Sequence, residues 1–371
     1  MSARRDSFRM PSIYPNRCCA RYNGNGSWEM VPGKWFLGTS SGILMYSRQG
    51  VVAMWAALAG GVGGAKLARG LAAITPEIID ELRIIINTGD DFVQHGLRIA
   101  PDVDTVLYTL AGIANPETGW GIAGDTTNAL DQLRRLGANA WFWLGDRDLA
   151  THILRTEWLR QGRTLSAFTA RMARSLDIPD HIHLLPMTDD PVATEILTPG
   201  GWRAFQDYFV RRQHADPVRD VRFAGSTAAQ PQPQALAALR QAEVVVICPS
   251  NPIVSIGPIL ALRGMRQAIE HRGPGSEVRC CRVAVSPIIG GQALKGPADV
   301  MLRGLGHEVS ALGVAQLYAG LIDIFVLDAA DAALAPQIAD LGMRPLVAET
   351  IMRTPDDSRA LAEIIAHAVE G

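Results

Sequence analysis

The chain of 371 residues carries 35 lysines and arginines against 37 aspartates and glutamates, a net charge of −2, with 48% hydrophobic residues. That balance suits a soluble globular protein: no basic stripe argues for nucleic acid, and no apolar run approaches the roughly 20 residues of a membrane span. The five cysteines, at 18, 19, 248, 280 and 281, show no C-x-x-C spacing. A zinc site or disulfide frame is therefore not expected, and a reducing cytoplasm is.

Residues 1–50 show neither helical nor strand periodicity, and their one apolar patch, "GILMY", is too short for a signal peptide. They are expected to be a disordered extension with nothing catalytic in it. From Val51 the pattern changes. A strand-like run, "VVAMWAAL", enters "AGGVGGAKLARGL", where Gly61, Gly63 and Gly64 permit close backbone approach and a helix begins. Lys66 stands where a dinucleotide fingerprint wants its third glycine, so neither that motif nor a phosphate-binding loop of the G-K-[ST] kind fits. The free N–H groups of the helix start and the Lys66 charge still suit an anion, and phosphate is the expected ligand. The alternative is a plain strand-to-helix turn with a surface lysine.

Further strand-like runs follow at 82–87, 140–145, 181–186, 244–249, 282–287 and 323–328, several of them apolar throughout, with helical patterns between. Such alternation predicts a three-layer αβα, Rossmann-like fold around a mainly parallel sheet. Residues 147–221 break the rhythm and read as an inserted α+β subdomain, leaving 51–146 and 222–371 as the core. Ligand is expected at the carboxyl edge of the sheet, in a cleft against the insertion.

Polar residues gather in the turns after the strands. Asp90 and Asp91 stand side by side after "LRIIIN" with no helix pattern starting there, and adjacent carboxylates repel unless a cation compensates. Oxygen ligands beside a phosphate site suggest magnesium. Asp102, Asp125, Asp146 and Asp148 each have an ordinary alternative as helix caps or first-turn acids. His95 is a possible base or a solvated side chain, and His152 and His307 carry less weight. "PSNPIVSIGPIL" and "SPIIGGQALKGPA" add Ser, Asn, Pro and Gly to the same edge.

Taken together and in order, "AGGVGGAKLARGL", "NTGDDFVQHGLRIAPDVDTVLYTLAG", "GWGIAGDT", "LGDRDLATHI", "HLLPMTDDPVATEI", "FQDYFV", "PSNPIVSIGPIL" and "SPIIGGQALKGPAD" resemble the 2-phospho-L-lactate transferase family of coenzyme F420 biosynthesis. The resemblance runs from about Met54 to the C-terminus. It implies a Mg2+-dependent transfer of a phosphorylated three-carbon acid from a GDP-linked donor to the ribityl hydroxyl of the deazaflavin Fo, with GMP leaving. It also implies functional links to a guanylyltransferase and a glutamate ligase, and a cytoplasmic homodimer is expected. By the same resemblance Gly61, Gly63, Gly64 and Lys66 would hold donor phosphates, and Ser250, Asn251, Ser255 and Gly257 the nucleotide. Asp90, with Asp91, would hold magnesium, and Asp104 the acceptor hydroxyl. Trp143 would either stack on the deazaflavin or fill the core. Two rivals stay open: a nucleotide-sugar-binding regulator that transfers nothing, and a nicotinamide-dependent oxidoreductase.

Overall fold

A computed structural model describes residues 53–270 and 280–370, together with four short strands nearer the N-terminus. Those strands form two antiparallel hairpins, β1 (Cys19–Tyr22) with β2 (Trp28–Val31) and β3 (Lys34–Thr39) with β4 (Gly42–Ser47). They belong to a unit, Met1–Val52, separate from Ala53–Gly371. The rest of the expected N-terminal extension lies outside the described residues.

The larger unit runs β5 (Met54–Ala59), α1 (Gly61–Ala73), β6 (Glu81–Ile86), the hairpin β7 (Phe92–Gln94) and β8 (Leu97–Ile99), then α2 (Pro101–Leu110), α3 (Asn128–Arg135), α4 (Asp146–Arg160) and α5 (Leu165–Ser175). It continues through β9 (Ile182–Pro186), β10 (Ala193–Thr198), β11 (Gly201–Ala204), β12 (Asp220–Ala224), α6 (Pro233–Gln241), β13 (Val244–Ile247), α7 (Gly257–Ala261) and α8 (Met265–Glu270). The last elements are β14 (Cys281–Val285), the hairpin β15 (Ile288–Ile289) and β16 (Gln292–Ala293), α9 (Ala298–Gly304), α10 (Ala311–Leu317), β17 (Ile324–Asp328), α11 (Ala335–Asp340), β18 (Arg344–Ala348) and α12 (Pro355–Glu370).

Seven strands form one parallel sheet in the order β18-β17-β14-β13-β5-β6-β9. The uninterrupted apolar runs have their reason here, because helices cover both faces. Along β5, Met54, Ala56 and Leu58 enter one core with Ala235, Leu239, Val314 and Ile338, while Trp55, Ala57 and Ala59 enter the other with Leu67, Leu71, Val106 and Leu361. This is the α/β, Rossmann-like architecture expected from the sequence. A third, smaller core of Ile196, Phe205, Tyr208, Val218, Val254 and Met301 lies against the antiparallel sheet β11-β10-β12.

Two expectations change. The run "AWFWLG" forms no strand; its aromatics pack on one another and on the β7–β8 hairpin, with Phe92 against Phe142 at 4.9 Å and against Trp141 at 5.8 Å between centroids. Bulky aromatic composition mimics a buried strand without requiring one. The stretch 147–221 is not wholly an insertion either: β9, in its middle, pairs with β6 at the edge of the parallel sheet. The antiparallel addition is β10–β12.

Candidate functional site

The chain leaves β5 in both directions across the sheet, to β6 on one side and β13 on the other, so the carboxyl ends of β5 and β13 open a crevice at the switch of strand order. Small residues close its back. A Cβ at Gly63 would overlap the Pro249 carbonyl oxygen, and one at Gly60 would lie 2.6 Å from Asp102 Oδ2 and 2.7 Å from Ser255 Cβ. The Gly60 N–H donates to Ser250 Oγ at 3.1 Å. Gly61, at φ +64°, turns the chain into α1. Asn251 Oδ1 accepts from the N–H groups of Ile253 and Val254 and starts a π-helical turn, Pro252–Ile256, that leads into α7 at Gly257. The loops carrying Gly61, Gly63, Gly64, Ser250, Asn251 and Ser255 therefore meet in one place.

Lys66 does not join them as expected. Its Nζ donates to the Met352 carbonyl at 2.6 Å, and burial together with the charges of Lys295 and Arg69 lowers its pKa. A second cation, Lys295, donates from Nζ to the Thr118 carbonyl at 2.7 Å, beside Gly119, which packs on Val62 of α1. The Gly61 N–H is held by a carboxylate of the protein itself, donating to Asp102 Oδ1 at 2.7 Å. Other first-turn N–H groups of α1 have no helical partners by geometry.

Beside this crevice lies a cluster of buried acids. Asn87 ties it together, donating to Asp102 Oδ2 at 2.9 Å and to the Val254 carbonyl at 3.3 Å, while its Oδ1 accepts from the Gly89 N–H. Burial raises the Asp102 carboxyl to about 6 even though Asn87 and the Gly61 N–H favour its charge. Asp90 is pushed well above the usual carboxylate range by burial and then by Asp102, against the opposing hydrogen bond from Thr194. Burial also pushes Asp91 well up, with Arg155 acting against it. Asp90 Oδ1 and Asp91 Oδ1 are buried with no hydrogen-bond partner among the described residues. Two charged oxygens left this way want a proton or a cation.

Asp104, two residues beyond Asp102, faces other partners. It is ion-paired to Arg155 of α4, whose Nη1 also donates to the Arg98 carbonyl at 3.2 Å and lies 3.2 Å from His152 Nδ1. His152 Nε2 stands 3.2 Å from Asp148, which accepts from the Tyr108 hydroxyl at 2.7 Å. Burial would raise the Asp148 carboxyl, but His152 and Tyr108 hold it below its ordinary value. Asp104 itself is raised, burial outweighing Arg155 and His152. Asp104, Asp148 and His152 lie close enough to share a metal ion. The buried guanidinium already in the group supplies the positive charge that an ion would bring, so charge pairing accounts for it. A cavity of about 430 Å³ is lined by Arg155 together with Thr88, Asp91, Arg98, Leu159 and Asp189 among others.

The profile of the family described as 2-phospho-L-lactate transferase CofD matches residues 56–351. The chain belongs to this family. It is 39% identical over 309 residues to a 2-phospho-L-lactate transferase of Methanosarcina mazei, covering 83% of this chain and 98% of that one. It is 41% identical over 325 residues to a phosphoenolpyruvate transferase of Kitasatospora aureofaciens, at 84% and 98% coverage. A solved member of the UPF0052 family from Bacillus halodurans superposes with a TM-score of 0.56 at 16% identity, over 84% of this chain and 99% of that one, a likeness of fold.

For this CofD-family chain the ordinary reading holds for two of the acids. Asp125 accepts from the Arg147 and Asp148 N–H groups and caps α4, while Asp146 accepts from Thr126, Asn128 and Ala129 and caps α3; the Thr126 hydroxyl first, then the Ala129 N–H, hold Asp146 at about 2. Trp143 packs edge-on against Trp120 at 5.3 Å, half-buried rather than in the core. His95 is exposed beside Gln94. Sequence reasoning missed Arg155, Tyr108 and Lys295, and gave His152 too little weight. The i, i+4 and i, i+3 spacing of Asp148, His152 and Arg155 on one helix face was the available signal.

Proposed function

We propose that this chain transfers a phosphorylated three-carbon acid from a GDP-linked donor to the ribityl hydroxyl of Fo, releasing GMP and an F420-0 type product. The hydroxyl oxygen forms a bond to the acid-bearing phosphorus, the bridging P–O bond to GMP breaks, and the hydroxyl proton leaves. The observation that carries this reading is a run of buried acids, Asp90, Asp91, Asp102 and Asp104, that reaches from the glycine crevice, where Asp102 accepts from the Gly61 N–H, to the cavity that Asp91 and Arg155 line. That order suits a nucleotide diphosphate on one side, an acceptor on the other and phosphorus between.

The donor set fits magnesium: oxygens only, two of them buried without partners, beside expected phosphates. Asp90 and Asp91 would hold the ion, which would neutralise the diphosphate charge. The glycine loops would fix the nucleotide through backbone N–H groups, as helix starts do with phosphates. Asp104 would accept a hydrogen bond from the ribityl hydroxyl and orient it. Such transfers depend on alignment and charge more than on covalent catalysis. A guanylyltransferase that makes the donor and a ligase that adds glutamate to the product would stand on either side.

The test incubates the full chain with Fo, magnesium, GTP, a guanylyltransferase and each candidate phosphoacid, and follows products by mass spectrometry. A phosphoacid-linked deazaflavin plus GMP is expected, with turnover lost in Asp90→Ala and Asp104→Ala. No product with any acid, while GDP still binds, would replace the transferase by a nucleotide-binding regulator.

A further inference from the structure

The buried charge between α2 and α4 has a feature that pairing alone leaves over. Arg155 is 1% exposed and restrained on several sides: Asp104 on Nη2, the Arg98 carbonyl and His152 on Nη1, and the Phe168 ring 5.4 Å from its Cζ. His152 is in turn fixed against Asp148, and Asp148 by the hydroxyl of Tyr108, which lies 2.8 Å from Thr151 Oγ1. Within this tightly held set three polar atoms remain without a hydrogen-bond partner among the described residues: Asp104 Oδ2, with His152 Nδ1 3.7 Å away, Arg155 Nε, and His152 Nε2, which faces Asp148 Oδ2 at 3.2 Å. Buried polar atoms are nearly always satisfied, so a spare carboxylate oxygen on Asp104, in an ion pair with a guanidinium that lines a cavity, marks a place for a donor from a ligand. A hydroxyl is such a donor.

We infer that Arg155 is a positioning residue for the acceptor: it clamps Asp104 through Oδ1, so that Oδ2 is left to take the hydrogen bond of the attacking hydroxyl. This rests on the transferase reading. Arginine suits the task because its planar fork holds a carboxylate in one orientation, whereas a lysine ammonium would leave Asp104 free to turn. Asp148, His152 and Tyr108 act one step further back, by holding the guanidinium.

The test compares the wild-type full chain with Arg155→Lys in the reconstituted reaction. Arg155→Lys keeps the charge and is expected to lose about 100-fold in kcat, the scale of a misplacement near 1 Å, with KM for the donor and the Kd of GDP within about threefold. In Arg155→Ala, methylguanidinium added to the folded variant is expected to restore turnover, which a purely structural role would not allow. An unchanged kcat in folded Arg155→Lys, or a loss of GDP binding as large as the loss of turnover, overturns the inference. Should Arg155→Lys not fold, Asp104→Asn combined with Arg155→Gln keeps the pair neutral. The double variant is then expected to be no slower than Asp104→Asn alone, and a further tenfold loss overturns the inference. No product from the wild-type chain overturns the transferase reading itself, and this inference with it.

Discussion

The two sides of the crevice are built from different materials. On the side proposed for the nucleotide the fit is made by backbone and by what glycine lacks: Gly60 and Gly63 leave no room for a Cβ, and Gly60 and Gly61 donate to Ser250 and Asp102. On the side proposed for the acceptor it is made by charged side chains, Arg155, Asp104, His152 and Asp148, reaching between α2 and α4. The expected division of labour is a general nucleotide grip on one side and a specific acceptor grip on the other.

The contrast breaks most sharply at Gly63. The atom a Cβ would meet is the Pro249 carbonyl oxygen, a backbone neighbour in the turn after β13 rather than the movable end of a side chain. Gly63→Ala is expected to lower stability by about 3 kcal/mol, the upper range of overpacking, and to abolish GDP binding. Denaturant melts and calorimetry of GDP binding check it; a variant that binds GDP normally would show the close fit to be incidental.

A second effect comes from Asp102, which joins the two sides. Its folded value of about 6 lies above the ordinary carboxyl value, so folding favours its protonated form. The stability this group contributes is complete below about pH 4 and is lost as pH rises through about 6. In chelator-treated protein the wild type is expected to lose on the order of 2–3 kcal/mol, relative to Asp102→Asn, between pH 4 and pH 7. Parallel pH profiles for the two proteins would contradict this.

The smallest effect is at Lys66. With its Nζ on the Met352 carbonyl, Lys66→Ala is expected to lose about 1 kcal/mol of stability and to change the Kd of GDP by less than about threefold. A tenfold loss of GDP affinity would return Lys66 to the phosphates.

The same contrast explains what could be read from the sequence. Glycines before a helix announce a tight turn whatever surrounds them, and the apolar runs of β6, β13, β14 and β17 announce a sheet covered on both faces, so the fold and the glycine turn were legible. Adjacent Asp90 and Asp91 after a buried strand were legible for a similar local reason. Arg155 was not: its partners Asp104 and Arg98 lie more than 50 residues away, and the spacing that puts Asp148, His152 and Arg155 on one face of α4 does not by itself say that this face is turned inward. Lys66 failed oppositely, drawn to Met352, 286 residues on, although its position beside the glycines looked like a phosphate contact. "AWFWLG" failed because aromatic composition is shared by strands and by aromatic clusters.

The division between the two sides is tested most directly by hydrogen–deuterium exchange of the full chain with magnesium, once with GDP and once with Fo. GDP is expected to protect amides at 60–66 and 249–257 and leave 155–165 and 188–193 unchanged, while Fo does the reverse. Protection of 155–165 and 188–193 by GDP, or of 60–66 by Fo, would contradict it.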